Sequence, residues 1–166
     1  LGATLALAGL AAPPAAAQTQ ALTSDPGPSI PTPFGPGEKA EYPVKLGAIS
    51  VGSGLLEVMG IEDVNGHPTY RTKLHVRGGI PLARVATRME SWIDTTALFS
   101  RRFEQDQNEI RFKRHRIFDF YPESRSYRQR DNGEVGRLPT ERPLDDVSFI
   151  FYTRTLPLRV GDTYTI

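Results

Sequence analysis

The chain has 166 residues, enough for one domain with a hydrophobic core but not comfortably for two. Its 20 lysine and arginine residues nearly balance its 19 aspartate and glutamate residues, so it lacks the basic excess of a nucleic-acid-binding protein and we expect no nucleic-acid partner. Cysteine is absent, which excludes disulfides, thiolate metal sites, cysteine nucleophiles and a lipid-modified cysteine at a signal cleavage site.

Residues 1–17 have the pattern of a cleavable secretion signal. Leu1 to Ala12 is apolar and uncharged, the pair Pro13-Pro14 follows, and Ala15 to Ala17 supplies small residues at the cleavage position. This apolar run is shorter than the roughly 20 residues that span a membrane as a helix. We therefore expect an exported product, soluble after cleavage near Ala17 and without a stable membrane span, in the periplasm or outside the cell. Because no methionine or basic leader precedes the run, we also expect residues to be missing at this end.

The segment after the signal, residues 18–37, is rich in proline, glycine, serine and threonine and has little apolar content. Such a composition buries too little surface to offset its ordering entropy, which predicts a linker. The domain is expected to begin near Phe34 or Glu38 and to occupy residues 38–166. Since residues 161–166 begin a strand that stops without a partner, we expect the domain to be truncated at its C-terminal end.

The domain sequence opens with strand and turn signals. Pro43 predicts an edge strand or a bulge, and Gly52-Ser53-Gly54 predicts a bend or bulge inside the next strand. Asn65-Gly66 is a strong hairpin signal. Residues 69–76 then alternate between apolar and polar side chains, and Gly78-Gly79 is expected to end that strand.

Further strands are predicted over residues 82–94, 98–107, 109–121 and 126–130. The segment from Leu144 to Leu156 fits either a helix capped by Asp145 or Asp146 or a buried strand, because it is rich in β-branched and aromatic residues. Successive strands with short turns form an antiparallel meander, which must close into a barrel or fold onto itself to protect its edges.

Several ordered landmarks give the chain a resemblance to a known family. Pro36 to Tyr42 followed by Leu46 to Gly52 is similar to a "GE-x-x-x-Y … G-x-I-x-x-G" start, and Glu90 to Asp94 is similar to an "x-S-Y-I-D" strand end. Asp145 to Leu158 is similar to "D-x-L-S-x-F-Y-x-x-R-x-L-x-L" and leads to Val160 to Thr163. In this order the motifs resemble the DUF3108 family, bacterial exported proteins of unknown function.

The resemblance carries expectations about the fold but none about activity. It implies an all-β domain, a strongly bent antiparallel sheet or barrel with one short helix near residues 145–156, and further strands beyond Ile166. The family description supplies no substrate, cofactor or catalytic residue.

The three histidines are the first candidates for chemistry. His67 follows the hairpin turn, while His75 and His115 lie on charged faces of separate strands. Together with Glu90 or Asp119 the latter two would form a metal site if their strands were neighbours, but no histidine spacing typical of a metal motif supports it. We therefore expect no metal site and no cofactor.

Other catalytic signatures are also weak. Ser53 between two glycines lacks the strand–turn–helix context of a serine nucleophile, and Gly35-x-Gly37 precedes a strand rather than the helix of a phosphate-binding loop. We expect no catalytic residue in this chain and a protein that is not an enzyme.

The most unusual feature is an arginine- and aromatic-rich stretch between Arg101 and Arg130. One interpretation is a solvated outer face with cross-strand ion pairs. The other is a patch that binds an anionic envelope glycan or a lipid headgroup. In the second case the candidate ligand-binding residues are Arg111, Phe112, Arg114, Arg116 and Phe118.

From these observations we expect an exported, non-catalytic periplasmic or surface protein that binds an amphipathic or glycan envelope component, so that its partner is an envelope lipid or glycan. The expectation rests on fold-level analogy, since small barrels can hold one ligand. One alternative is a structural or assembly factor of the envelope that acts through protein contacts. Another is a hydrolase completed by residues beyond Ile166. The oligomeric state stays open.

Overall fold

The structure is a computed structural model that describes residues 30–80, 83–109 and 112–164. It consists of eight β-strands, a 3₁₀ turn at Pro122–Ser124 and one α-helix. The strands are β1 (Lys39–Leu46), β2 (Ile49–Val64), β3 (His67–Ile80), β4 (Ala83–Asp94), β5 (Ser100–Glu109), β6 (Phe112–Tyr121), β7 (Ser126–Gln129) and β8 (Val135–Arg137), and the helix is α1 (Asp146–Thr153).

All eight strands form one antiparallel sheet in the order β1-β2-β3-β4-β5-β6-β7-β8, which confirms the predicted mostly-β meander with one short helix. The sheet is open, because no ladder joins β1 to β8 within the described ranges. The sequence predicted either a bent sheet or a closed barrel, and the described residues form an open sheet. Pro43, which has no N–H group to donate, predicted an edge strand or a bulge; β1 forms one edge of the sheet, and its register with β2 shifts after Val44.

The turn and bulge predictions are confirmed in β2. Asn65 and Gly66 have φ values of 55° and 84°, the left-handed conformation that a two-residue hairpin of type I′ requires, and Val64 pairs with His67 across it. Val44 pairs with Gly52 while Lys45 pairs with Ser50, so β2 contains one extra residue directly before Gly52.

The predicted strand end at Gly78-Gly79 is wrong. β3 continues to Ile80, and Gly78 pairs with Gly52 on β2 and with β4 on the other side. A Cβ atom on Gly52 would lie 2.2 Å from the carbonyl oxygen of Arg77. The two glycines therefore permit a close approach of β2 and β3 rather than ending a strand.

The sheet has two chemically different faces. One, the helix face, carries the hydrophobic core, in which strand residues pack with α1 and with the segment before β1: Phe34, Leu56, Val58, Ile93, Leu98, Phe103, Val147 and Phe151. The other, the charged face, carries cross-strand ion pairs. The alternation predicted for residues 69–76 of β3 agrees with this division, because paired residues on neighbouring strands lie on the same face of the sheet.

The segment Leu144 to Leu156, which local sequence left undecided, is helical over Asp146–Thr153. Asp145 caps it: its side chain accepts hydrogen bonds from the backbone N–H groups of Val147 and Ser148, and the Ser148 hydroxyl accepts from the Asp145 N–H. Val147 and Phe151, four residues apart, are fully buried against the sheet. Capping and this spacing explain why a segment with β-type composition is a helix.

The chain before β1 contributes to the core. Phe34 is 7% exposed, and its ring lies 5.5 Å from that of Tyr70 and 4.8 Å from that of Phe151. Ile30 also packs against the core. The described end of the predicted linker is thus packed on the domain, whereas the predicted signal, residues 1–17, lies outside the described residues.

Candidate functional site

The candidate residues of β6 lie on the helix face. Arg114 pairs with Gln107 of β5, Arg116 with Gln105 and Phe118 with Phe103, which places them on the side that α1 covers elsewhere. Arg111 lies outside the described residues.

The structure separates these candidates by environment. Phe118 packs against the core and stacks on Phe120 with a centroid distance of 6.3 Å. Phe112, in contrast, is 40% exposed, and the Arg114 guanidinium lies over its ring at 4.5 Å. Phe118 is thus a core residue, while Phe112, Arg114 and Arg116 stand at the accessible end of the strand.

Towards that end of the sheet, α1 no longer covers the helix face. We call this region the open patch, and it consists of eight side chains: Tyr42, Val44, Val76, Gln105, Gln107, Phe112, Arg114 and Arg116. Its apolar residues on β1 are accessible, with Tyr42 54% and Val44 36% exposed. Cross-strand pairing connects Tyr42 through Gly54, Val76, Thr87 and Gln107 to Arg114 in one row. The patch is apolar on β1–β3 and cationic on β6.

The charged face differs because its arginines are used in ion pairs. Arg71 donates two hydrogen bonds to Glu90, at 2.9 and 2.7 Å, and one to Glu62 at 2.8 Å. Arg102 and Arg130 both donate to the buried carboxylate of Asp119. For this part of the arginine-rich stretch, the structure matches the first interpretation, a face with cross-strand ion pairs.

Trp92 lies within the same network. The guanidinium groups of Arg71 and Arg102 lie 5.3 and 5.6 Å from its ring, and its indole N–H donates to Glu62 at 2.9 Å. The hydrogen bond from the Trp92 indole, followed by that from Arg71, holds the pKa of Glu62 below its usual value. The tryptophan is only 6% exposed, so it serves packing of the face rather than ligand stacking.

The histidine metal site fails on topology. His75 is on β3 and His115 on β6, and two strands separate them, so the condition that their strands be neighbours is not met. His115 instead lies 3.0 Å from Glu104. The described parts of the chain contain no group of three or more side chains suited to hold a metal ion.

One polar cluster was missed by the sequence reasoning. The Asp145 carboxylate accepts hydrogen bonds from the hydroxyls of Ser91, at 2.7 Å, and of Ser100, besides the two backbone donors of the helix cap. Burial raises the pKa of Asp145, although these four donors act in the opposite direction. Both serines and Ser148 are fully buried. The cap itself was predicted at Asp145 or Asp146, but nothing in the local sequence indicated the two distant serines.

This cluster anchors α1 to the sheet. Its hydroxyls already donate to a carboxylate and are closed to solvent, whereas a nucleophilic serine needs access to substrate and a base that accepts its proton. The site with accessible, chemically mixed side chains is therefore the open patch.

Within the described ranges, no helix has both the length and the apolar character needed to cross a membrane. Comparison with curated proteins and with solved structures gave no match. Residues 41–166 match the family described as "Protein of unknown function (DUF3108)", which is about three quarters of the chain. Because the matched region contains nearly the whole sheet, α1 and its cap, the chain belongs to the DUF3108 family.

Proposed function

We propose that this chain is an exported, non-catalytic envelope protein that binds an amphipathic molecule, a lipid or a glycolipid with an anionic headgroup, on the open patch. The observation that carries the proposal is the division of one accessible surface into an apolar part on β1–β3 and two arginines on β6.

The apolar part supports binding of a hydrocarbon chain. Tyr42, Val44 and Phe112 are 36–54% exposed, and they border the helix face where the core ends. Tyr42 and Val44 lie on the same face of β1, and exposed apolar side chains that lie together mark interaction sites more often than chance placement does.

The cationic part supports binding of an acidic headgroup. Arg114 and Arg116 form no ion pair with the carboxylates that the structure describes, unlike Arg71 and Arg102 on the charged face. A guanidinium can donate two parallel hydrogen bonds to one phosphate or carboxylate group. Gln105 and Gln107, directly across on β5, add neutral donors and acceptors beside them.

The binding test uses dodecyl phosphate below its micelle-forming concentration, followed by isothermal titration calorimetry. We expect saturable binding that weakens at least tenfold in the Arg114→Gln/Arg116→Gln variant, because a hydrogen bond to a charged group contributes about 1.5–3 kcal/mol. The matched control is Arg128→Gln/Arg137→Gln, which removes two exposed arginines elsewhere and should bind normally. Absence of binding, or equal binding by both double variants, refutes the proposal.

Export needs its own test. The apolar run, proline pair and small residues of the first seventeen positions support it. When the gene is expressed with its natural start in a bacterial host, we expect the product outside the cytoplasm with an N-terminus at Gln18. An uncleaved product confined to the cytoplasm contradicts this part of the proposal. Native mass spectrometry of the exported product should further reveal a co-purifying lipid or glycolipid.

A second candidate function is an assembly factor of the envelope. The edge strand β1 favours it, since its outer backbone groups have no partner strand among the described residues and could pair with a strand of another protein. Pro43 and the lysines Lys39 and Lys45 weaken this candidate, because proline and lysine are typical of edges that are protected from pairing. Crosslinking in intact envelopes distinguishes the two candidates, because only an assembly factor is expected to form a protein adduct through β1.

A further inference from the structure

The charged face contains an open depression of about 320 Å³ at the end opposite to Trp92. It is lined by His75, Ala86, Arg88, Asp106 and Asn108, from the adjacent strands β3, β4 and β5. The short side chain of Ala86 forms the floor, because its partners on the neighbouring strands, Arg77 and Asn108, have longer side chains. The volume is at the lower end for small-molecule sites and fits a ligand of about one sugar ring.

Three of the four polar residues that line the depression have no hydrogen bond within the described parts of the chain, and the fourth, Arg88, takes part in two longer ion pairs. Within the described ranges, the side chains of His75, Asp106 and Asn108 make no hydrogen bond. Arg88 lies 3.8 Å from Glu90 and 3.6 Å from Glu104, beyond hydrogen-bond distance.

The next row of the same face behaves differently, which makes the depression distinctive. In that row Lys39 and Lys73 both bind Glu57, at 2.9 and 2.7 Å. The polar side chains of the adjacent row are thus paired, whereas His75, Asp106 and Asn108 form no hydrogen bond among the described residues.

Charge also limits the ligand that fits. Burial lowers the pKa of His75, and the nearby cations Arg77, Lys73 and Arg88 lower it further, which favours the neutral imidazole. Leu55 faces it from β2 and Arg88 from β4. Among the residues that line the depression, the formal charges of Arg88 and Asp106 cancel.

We propose that this depression binds one neutral saccharide residue. A neutral imidazole and an amide each donate and accept, a carboxylate accepts and a guanidinium donates, which matches the adjacent hydroxyls of a sugar ring. The methyl group of Ala86 offers an apolar floor for the ring's C–H groups. The site lies on the opposite side of the sheet from the open patch and does not depend on the function proposed for that patch.

The test titrates the ¹⁵N-labelled full chain with glucose, galactose, mannose and N-acetylglucosamine, and in parallel with inorganic phosphate. We expect saturable shifts of the His75, Ala86 and Asn108 amides with at least one sugar. Asp106→Asn should weaken binding about tenfold, because it replaces a charged acceptor. Ala86→Ile should fill the depression and abolish binding.

The control Arg128→Gln, an exposed charge on the same face, should bind as the unaltered chain does. Shifts with phosphate alone, shifts elsewhere on the protein, or no shift with any sugar overturn the proposal. Arg114→Gln/Arg116→Gln should leave sugar binding unchanged and Ala86→Ile should leave dodecyl phosphate binding unchanged, so failures of the two proposals can be told apart.

Discussion

Replacing Asp145 by alanine should destabilise the domain strongly, because one carboxylate both caps α1 and holds it to the sheet. The substitution removes the acceptor for the backbone N–H groups of Val147 and Ser148 and for the hydroxyls of Ser91 and Ser100. The helix is short, so it depends on this anchor more than a long helix would.

The magnitude follows from these contacts. Loss of an aspartate N-cap costs about 1 kcal/mol. The Ser91 hydroxyl is fully buried and would lose its acceptor, at about 1–3 kcal/mol. The Ser100 hydroxyl keeps another acceptor, the carbonyl oxygen of Arg102 at 3.2 Å, so it adds little to the loss of stability. We expect the free energy of unfolding to fall by about 2–4 kcal/mol.

Urea unfolding followed by tryptophan fluorescence measures this loss. Trp92 is the single tryptophan and is buried between two arginines, so its emission reports unfolding of the sheet. Asp146→Ala is the matched control: it removes an exposed carboxylate one residue later, and should cost less than about 1 kcal/mol through the helix dipole. Equal losses for Asp145→Ala and Asp146→Ala would refute the reasoning.

The pH dependence gives a second measurement on the same group. Because burial raises the pKa of Asp145 above its unfolded value of about 3.9, the folded state favours the protonated carboxyl. The stabilisation that Asp145 gains from this shift is fully present below its pKa in the unfolded chain, and it is lost as the pH rises through the higher pKa of the folded state. The stability advantage of the unaltered chain over Asp145→Asn should therefore shrink as the pH rises from about 4. An advantage that grows with pH contradicts the direction of this shift.

Two further predictions concern the sheet. Gly52→Ala should lower the free energy of unfolding by about 1–3 kcal/mol in urea, because the new Cβ would lie 2.2 Å from the Arg77 carbonyl oxygen. The control Gly60→Ala should be neutral or stabilising, because no atom lies within 4 Å of its new Cβ. Equal losses for the two variants would be evidence against the close approach of β2 and β3. Hydrogen bonds from Lys73 and then from Lys39 lower the pKa of Glu57. The ion pairs of Glu57 therefore stabilise the fold by up to about 1 kcal/mol above the unfolded pKa near 4.3, and this stabilisation is lost as the pH falls through the lowered pKa. The difference in unfolding free energy between the unaltered chain and Glu57→Gln should be constant near neutral pH and decrease on acidification, and a difference that does not change with pH would contradict it.

Local sequence determined the elements whose causes are local. Asn65-Gly66 specifies its own hairpin, because both residues accept the positive φ of that turn. The alternation of β6 specified which of its residues share a face, since side chains alternate along any strand. Pro43 similarly predicted an edge position for β1, because it lacks an N–H group.

Prediction from the sequence failed where the structure of a segment depends on a partner that is distant along the chain. Gly78-Gly79 has the composition of a break, but β3 continues because Gly52 of β2 lies opposite and the backbones approach closely. Asp145 lies 54 residues from Ser91 and 45 from Ser100, so no local pattern could assemble their cluster. The undecided segment after Leu144 became a helix through its cap and its burial on the sheet.

The candidate site shows the same division. The sequence alone determined that Phe112, Arg114 and Arg116 share one strand face, because that depends only on the two-residue period of a strand. The tertiary structure decided that Phe118 on the same face packs against the core while Phe112 is exposed, because α1 covers only part of that face. It also decided which arginines pair with carboxylates, since an ion pair across strands depends on the register between them.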